Sequence, residues 1–250
     1  MAAAIILAAG MGTRMKSDLP KVLHPVCGLP MLTYVIDACR GAGCERIILV
    51  VGHRQELVRE TYAAAGDVAY VEQIPQQGTG HAVMVCQKEL ASLEGPVLVL
   101  AGDGPLIQAS TLRELLATHV QQQAACTLAT SVLTDPAKYG RILRDGRGEL
   151  QSIIEAVDAT PEQLAIREVN VSVYCYDAAA LRSVLPRLTN TTNKKGEYYL
   201  TDTLGLLRTD GQKLAAVAAV PPEDVISINT PDELAEVSRI MAGRNARGQA

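Results

Sequence analysis

The stretch AAAIILAAGMGTRMKSDLPK, residues 2–21, joins an apolar run to a glycine-rich loop that carries basic side chains. The run Ala3–Ala8 is apolar throughout, which is typical of a strand covered on both faces. Gly10 and Gly12 in the loop that follows allow backbone N–H groups to approach and wrap a phosphate. Because α/β sheets bind ligands at the carboxyl ends of their strands, this order predicts an anion site in an α/β fold.

Two cations, Arg14 and Lys21, lie in the same loop, as a polyphosphate ligand would require. The loop departs from the dinucleotide-binding fingerprint, because Met15 stands where that pattern has its third glycine. It also lacks the Gly-Lys-Ser/Thr sequence of a P-loop. Composition and spacing therefore leave two interpretations open, a phosphate-binding loop and an ordinary turn with solvated charges.

Strands and helices alternate through the first half of the chain. Apolar runs that predict buried strands are Arg46–Val51, Asp67–Glu72 and Pro96–Ala101. Helical periodicity follows Pro30 and covers Gly80–Leu90 and Ser110–Val120, where Ser110 is the expected N-cap. This order predicts an α/β fold with a doubly wound, mostly parallel sheet.

The second half has a different pattern. Gly140–Arg144 and Glu149–Ile154 flank a glycine-rich turn, which predicts a β-hairpin. Glu168–Tyr176 alternates with a period of two and predicts a further strand. The remaining expected elements are helices over Glu197–Arg208 and Pro231–Met241 and a late strand, Val225–Ile228, that returns to the sheet.

Composition excludes several classes of partner. The 250 residues include 23 basic and 27 acidic side chains, a net charge of −4 that gives no reason to expect a nucleic-acid partner. No apolar run approaches the ~20 residues of a membrane-spanning helix, so no membrane partner is expected. The six cysteines are scattered without a C-x-x-C pair, and no basic segment precedes the first apolar run. These features predict a cytoplasmic protein with reduced thiols and no structural zinc site.

The string LAAGMGTRMKSDLPKVLH, residues 7–24, strongly resembles the signature of sugar nucleotidylyltransferases. Further segments follow in that family's order: EQIPQQGTGHA at 72–82, AGDGPLI at 101–107, YGRI at 139–142 and GEYYLTD at 196–202. The resemblance spans residues 3 to about 240. It is strongest to the uridylyltransferase domain of the bifunctional N-acetylglucosamine-1-phosphate uridylyltransferase/glucosamine-1-phosphate acetyltransferases.

This resemblance implies a Rossmann-like nucleotidyltransferase fold with the β-hairpin in an inserted sugar-binding lobe. It implies transfer of a uridylyl group from UTP to N-acetylglucosamine 1-phosphate with Mg²⁺ as cofactor. Catalytic roles are implied for Arg14, Lys21 and Asp103. Contacts with the nucleotide are implied for Leu7, Ala8, Gly10, Gly12, Thr13, Gln73, Gly78 and Thr79.

The resemblance also implies a sugar site and a metal site. Gly140, Glu155 and Asn170 match positions that contact the acetamido sugar. Asp103 and Asn229 match the metal ligands, and Asn229 belongs to the substrate-binding set as well. We expect one nucleotidylyltransferase domain over 1–250, with a nucleotide-binding half at 1–120, a sugar-binding half at 121–220, and a returning strand, helix and tail at 221–250.

Four departures from the family pattern leave alternatives open. Ala101 stands where these enzymes usually have Tyr, Gly104 where Val is common, Val157 where Lys is frequent, and Val171-Ser172 where Thr-Gly is usual. Two alternatives therefore stay open. The chain is an enzyme that uses another sugar 1-phosphate as acceptor, or it is a non-catalytic regulator that binds a sugar nucleotide. No hexapeptide repeat follows residue 240, so no acetyltransferase half is expected. A second copy of the chain and a separate acetyltransferase stay open as partners.

Overall fold

The computed structural model of the protein describes residues 2–191 and 195–247. Its strands are β1 (Ala2–Leu7), β2 (Pro25–Val26), β3 (Leu29–Pro30), β4 (Cys44–Val51), β5 (Val68–Glu72), β6 (Pro96–Ala101), β7 (Cys126–Val132), β8 (Arg141–Arg144), β9 (Leu150–Ile154), β10 (Glu168–Asp177) and β11 (Leu214–Val217). Its helices are α1 (Met31–Gly41), α2 (Gln55–Thr61), α3 (Thr79–Met84), α4 (Gln87–Leu90), α5 (Ala109–Gln122), α6 (Pro161–Leu164), α7 (Ala178–Val184), α8 (Asp202–Thr209) and α9 (Pro231–Ala246).

A mixed sheet forms the centre of the fold. Its strands run in the order β11-β7-β10-β6-β1-β4-β5, with the β8–β9 hairpin attached through β10. β1 pairs in parallel with both β4 and β6, β4 with β5, and β7 with β11. Only β10 within this order runs antiparallel to its neighbours β6 and β7, among the residues described. The predicted α/β fold with a mostly parallel sheet and a hairpin is therefore confirmed.

Both faces of the sheet are buried, which explains the continuous apolar strands. Along β1, Ala4 and Ile6 belong to the core on one face, together with residues of α1 and α5. Ile5 belongs to the core on the other face, with residues of α3, α4, α7 and α8. Successive side chains of a strand point to opposite faces, so a strand covered on both sides is apolar at every position.

The prediction of a late strand at Val225–Ile228 is wrong. These residues have no regular structure, and β11 at Leu214–Val217 is the strand that joins the sheet late in the chain. Ile228 is instead fully buried in a third apolar cluster with Met31 of α1 and Met241 of α9. Its apolar character therefore reflects packing against helices, which a run of four residues cannot distinguish from strand pairing.

Two predicted helix boundaries are also wrong. Residue 108, not Ser110, precedes α5, and Ser110 lies inside that helix. The helix predicted from Glu197 begins at Asp202. Tyr198 lies outside the helix because its N–H donates to Gln77 O at 2.9 Å and its carbonyl accepts from Gly80 N at 2.7 Å.

No helix within residues 2–191 and 195–247 is long and apolar enough to cross a bilayer.

Two helical glycines should respond in opposite ways to alanine. A Cβ at Gly80 in α3 would lie 2.9 Å from both Leu188 Cδ1 and the Tyr198 carbonyl oxygen, whereas Gly205 in α8 has open space. We expect Gly80→Ala to lower the free energy of unfolding by about 1–3 kcal/mol through overpacking. Gly205→Ala should raise it by about 0.5–1 kcal/mol, because alanine is the better helix former. Urea denaturation measures both, and equal stability of the two variants would contradict the packing of α3 against Tyr198.

Candidate active site

The carboxyl ends of the parallel strands meet at one rim of the sheet. Backbone hydrogen bonds continue past the strands there: Ala8 N donates to Val50 O at 2.8 Å, and Gly102 N to Leu7 O at 2.9 Å. Gln73 N donates to Val51 O at 2.8 Å in the same way. These bonds place the glycine-rich loop, Gln73 and the segment that carries Asp103 side by side.

A cavity of about 560 Å³ opens at this rim. Its volume is in the range of small-molecule sites, ~300–1,000 Å³. The predicted site residues that line it are Leu7, Ala8, Gly10, Lys21, Gln73, Gly78, Thr79, Asp103, Glu155 and Asn170. One cavity thus contains side chains from segments that are up to about 160 positions apart in the sequence, as expected of open α/β sheets.

Lys21 lies at the centre of the polar contacts at one end of the cavity. Its Nζ forms an ion pair with Asp103 Oδ2 and donates to Asn229 Oδ1 at 3.1 Å. Arg14 donates to the same Asn229 oxygen at 3.0 Å. Both predicted metal ligands therefore contact one ammonium group. Since each N···O hydrogen-bond distance is at most about 3.2 Å, their oxygens lie within about 6.4 Å of each other.

Asn229 is held in place by backbone contacts and by α9. Ile228 N donates to Asp103 O at 2.9 Å, so the loop before Asn229 is bonded directly to the segment that carries Asp103. Asn229 N donates to Glu233 Oε2 at 2.7 Å, and Glu233 also forms an ion pair with Lys138. The carboxylate of Glu233, in the first turn of α9, thus orients Asn229, which directly precedes the N-cap residue Thr230.

The glycine-rich loop approaches Lys21 closely. Gly12 has a φ of 63°, and a Cβ there would lie 2.7 Å from Lys21 Cβ. Such a contact is far below van der Waals distance, so a side chain at Gly12 would displace Lys21. Gly12 therefore contributes to the site by leaving room for Lys21.

The donor set at this end fits a hard divalent cation. Asp103 provides a carboxylate and Asn229 an amide oxygen, which are ligand types that Mg²⁺ prefers. The ammonium of Lys21 contacts both oxygens, so the position attracts positive charge. No three His, Cys, Asp or Glu side chains of the described chain converge on a metal site. Mg²⁺ commonly keeps several waters and substrate oxygens in its coordination sphere, which suits a sparse set.

Gln73 occupies the opposite side of the glycine-rich loop and is 4 % exposed. Its amide nitrogen donates to Gly78 O at 2.9 Å and lies 3.3 Å from His81 Nδ1. A carbonyl oxygen can only accept, so the contact with Gly78 fixes the orientation of the amide. Oε1 is then the atom that Gln73 can offer to a ligand, as a hydrogen-bond acceptor.

Glu155 and Asn170 lie together at the end of the cavity formed by the second half of the chain. Asn170 N donates to Gly140 O at 2.9 Å, and a Cβ built on Gly140 would lie 3.6 Å from Glu155 Oε2. Gly140 itself lies beside the cavity rather than in its lining. The tightest contact of that Cβ would be with Ile153 Cγ2 at 3.1 Å, so Gly140 allows the close packing of this segment against β9.

Burial is the main electrostatic feature of this end. It raises the pKa of Glu155 above its ordinary value; Lys195 opposes the rise, and Asp158 and Asp202 add to it. Burial and the charge of Asp158 also raise the pKa of Asp202. Partly buried carboxyl groups with raised pKa values are common at binding and catalytic sites.

Some predicted residues are not in the cavity lining. Gly12, Arg14, Gly140 and Asn229 adjoin it through the contacts described above. Thr13 is exposed in a short 3₁₀ turn, and the structure shows no contact between its side chain and the cavity. Thr13 therefore differs from Gly10 and Lys21, which line the cavity, and from Gly12 and Arg14, which adjoin it.

Several lining residues were absent from the predicted set. They are Gln76, Ser172, Tyr174, Lys195, Glu197, Tyr199 and Thr201. Gln76 donates to Ala9 O, and Gly52 leaves the space for this contact. The hydroxyl of Tyr199 is buried without a hydrogen-bond partner in the described chain. The signal for three of them, Glu197, Tyr199 and Thr201, is the GEYYLTD segment, whose tyrosines are equally typical of helix packing.

The family follows from comparison with known sequences. A model described as the MobA-like NTP transferase domain matches residues 4–198. The chain belongs to the MobA-like NTP transferase domain family. This membership confirms the prediction of a nucleotidyltransferase, and the nucleotide triphosphate substrate class agrees with the cationic loop at the rim.

Two relatives of this NTP transferase domain show how much of a longer protein it matches. The bifunctional protein GlmU of Pelobacter propionicus is 44% identical over 242 residues, which cover 97% of this chain and 52% of the relative. GlmU of Brevibacillus brevis is 44% identical over 250 residues, 98% of this chain and 54% of the relative. The chain spans about half the length of the curated relatives it matches, which confirms the resemblance to one domain of a bifunctional enzyme.

A solved structure of UDP-glucose pyrophosphorylase complexed with UDP-glucose shares the fold. Its TM-score is 0.77 with 18% sequence identity, and the match covers 98% of this chain and 100% of that chain. A match at this identity supports the architecture of the NTP transferase domain.

Replacing Glu155 by glutamine should stabilise this NTP transferase domain at neutral pH. A carboxyl whose pKa is raised by folding favours the folded state below its ordinary pKa, and this contribution is lost as the pH rises through the raised pKa. The Tm of Glu155→Gln should therefore exceed that of the parent at pH 7, and the gap should close toward pH 4. Calorimetry across this range measures it, with Glu114→Gln on the exposed face of α5 as control. A gap that does not change with pH would show that charge burial is not its cause.

Proposed function

We propose that this domain transfers the uridylyl group of UTP to N-acetylglucosamine 1-phosphate, giving UDP-N-acetylglucosamine and pyrophosphate. The observation that carries the proposal is the cavity itself. The cation Lys21 and its partners Asp103 and Asn229 lie at one end, Gln73 beside the glycine-rich loop, and Glu155 with Asn170 at the far end. The similarity to GlmU over 97% of the chain supports the same reaction class.

The choice of uracil rests on the orientation of Gln73. Because its amide nitrogen is engaged by Gly78 and His81, the side chain presents an acceptor oxygen. An acceptor matches a pyrimidine that carries an N–H on its ring edge, as uracil does, and disfavours cytosine, which has an acceptor at that position. Gly78, with a φ of 104°, keeps the neighbouring backbone close without a side chain.

The choice of an acetamido sugar rests on the polar groups at the far end. Asn170 and Glu155 line the cavity there and provide an amide and a carboxylate. Buried polar groups are costly unless they are hydrogen-bonded. A sugar with hydroxyl and amide groups would satisfy them, and a smaller or less polar acceptor would leave some unpaired.

The reaction needs no general base. The attacking 1-phosphate has a second pKa near ~6 and is largely a dianion at neutral pH. The barrier is electrostatic, since two anions must meet in line at the α-phosphorus. Arg14 and Lys21 would offset the charge of the α-phosphate and of the departing pyrophosphate, and the oriented loop would fix the geometry of attack.

Mg²⁺, held by Asp103 and Asn229, would supply further charge neutralisation at the phosphates. Lys21 contacts both oxygens and would remain next to the cation as a fixed positive charge. The proposal includes a cytoplasmic location. It leaves a second copy of the chain and a separate acetyltransferase open as partners.

A panel of acceptors tests the proposal directly. Purified protein with Mg²⁺ would be given UTP, CTP, dTTP or ATP with N-acetylglucosamine 1-phosphate, glucose 1-phosphate or glucosamine 1-phosphate, and pyrophosphate release would be measured. We expect the highest kcat/KM for UTP with N-acetylglucosamine 1-phosphate. A higher value for another sugar would assign a different acceptor, and tight binding of UDP-sugar without turnover would indicate a regulator.

Removing either cation should impair turnover while preserving the fold. We expect Lys21→Ala and Arg14→Ala each to lower kcat by ~100-fold or more, as loss of one preorganised electrostatic contact does in other enzymes. Lys88→Ala, an exposed lysine on α4, is the matched control and should leave kcat unchanged. A folded Lys21→Ala variant with normal kcat would refute the phosphate role of Lys21.

The two oxygen ligands should differ in importance. Asp103→Asn removes the formal negative charge of the set, so it should weaken Mg²⁺ binding more than Asn229→Ala does. Calorimetric titration of Mg²⁺ in the presence of UTP gives the affinity independently of turnover. Equal, unaltered affinity in both variants would show that the ion binds elsewhere.

A further inference from the structure

Asn170 lies at an irregularity of β10. It pairs with Thr130 of β7, while Tyr174 pairs with Leu128, so β10 has two more residues than β7 in this interval. Within the bulge Ser172 has a φ of 57°, in the left-handed region. Bulges of this kind often redirect a side chain next to a functional site.

The bulge fixes which end of the Asn170 amide faces the backbone. Ser172 N lies 3.1 Å from the Asn170 side chain, and a backbone N–H can only donate. The atom facing it must therefore be the oxygen, Oδ1. The alternative orientation would place two donors against each other, so this assignment follows from chemistry.

The amide nitrogen then meets Tyr174. Asn170 Nδ2 lies 2.7 Å from the Tyr174 hydroxyl oxygen, and both residues are nearly fully buried, at 6 % and 3 % exposure. One N–H of Nδ2 is used in this contact. The second hydrogen of Nδ2 has no acceptor among the described residues, and Asn170 lines the cavity.

We propose that Tyr174 is a positioning residue for acceptor recognition: it holds the Asn170 amide so that an N–H donor faces the sugar. The inference rests on the proposed function and extends it to the chemistry that the far end of the cavity selects. A donor from Asn170 and the acceptor oxygens of Glu155 form a complementary pair. An acceptor with a hydroxyl or carbonyl oxygen beside an O–H or N–H group satisfies both.

Tyr176 provides a matched control on the same strand. It lies two residues away on the same face, is fully buried, and its hydroxyl bonds Thr203 Oγ1 of α8 at 2.8 Å. Removing either hydroxyl deletes one buried hydrogen bond from the same core. Only the bond of Tyr174 leads to the cavity, so any difference between the variants reports on positioning.

Steady-state kinetics of Tyr174→Phe and Tyr176→Phe test the inference. We expect Tyr174→Phe to raise the KM for N-acetylglucosamine 1-phosphate by about 10-fold or more, because a buried donor loses its partner and the amide can turn. The KM for UTP should change less than about 2-fold. Tyr176→Phe should leave both KM values unchanged, although the Tm of the two variants falls by similar amounts.

A double-mutant cycle separates positioning from direct contact. If Tyr174 acts through Asn170, the effect of Tyr174→Phe on the acceptor KM should vanish in an Asn170→Ala background. Additive effects of the two substitutions, or equal behaviour of the two phenylalanine variants, would overturn the inference. A parent protein that transfers uridylyl groups to no sugar 1-phosphate would instead refute the proposed function. In that case the same variants compared for binding of UDP-N-acetylglucosamine by calorimetry still decide the role of Tyr174.

Discussion

The site depends on backbone hydrogen bonds that continue beyond the carboxyl ends of β1, β5 and β6. Ala8, Gly102 and Gln73 each donate to the last residues of a neighbouring strand, at 2.8–2.9 Å. These bonds hold three loops at fixed distances before any side chain contributes. Parallel strands with both faces buried cannot slide relative to one another without exposing apolar residues, so the rim is rigid. Ligand contacts from the three loops can then be precise.

The two ends of the cavity differ in their electrostatic environment. Lys21 and Arg14 converge on Asn229 and Asp103 at one end, where phosphates would bind. At the other end burial raises the pKa values of Glu155 and Asp202, which means that the folded protein is less stable than neutral side chains would make it. Sites commonly carry such a cost in stability, because groups arranged to meet a ligand are not optimally satisfied without it.

Side chains at both ends of the cavity are oriented by neighbours outside the family motifs. The amide of Asn170 is fixed by the Ser172 backbone and by Tyr174, and the loop at Asn229 is fixed by Glu233. Each contact joins residues that are close in sequence, yet its effect depends on how β10 or α9 is placed against the sheet. The orientation of residues in and beside the cavity therefore depends on more of the structure than the cavity lining.

The sequence alone determined the α/β class, the glycine-rich loop after β1 and most of the residues at the rim, because apolar periodicity and motif spacing are local properties. The stretch at 7–24 was enough to indicate a nucleotidyltransferase. Tertiary structure decided the rest. Val225–Ile228 has the apolar pattern of a strand, but burial of Ile228 against α1 and α9 gives it another role. The backbone of Tyr198 is bonded to Gln77 and Gly80, about 120 positions away, and not within a helix. Whether a short apolar or aromatic segment pairs, packs or lines a cavity depends on distant partners, and no local pattern contains that information.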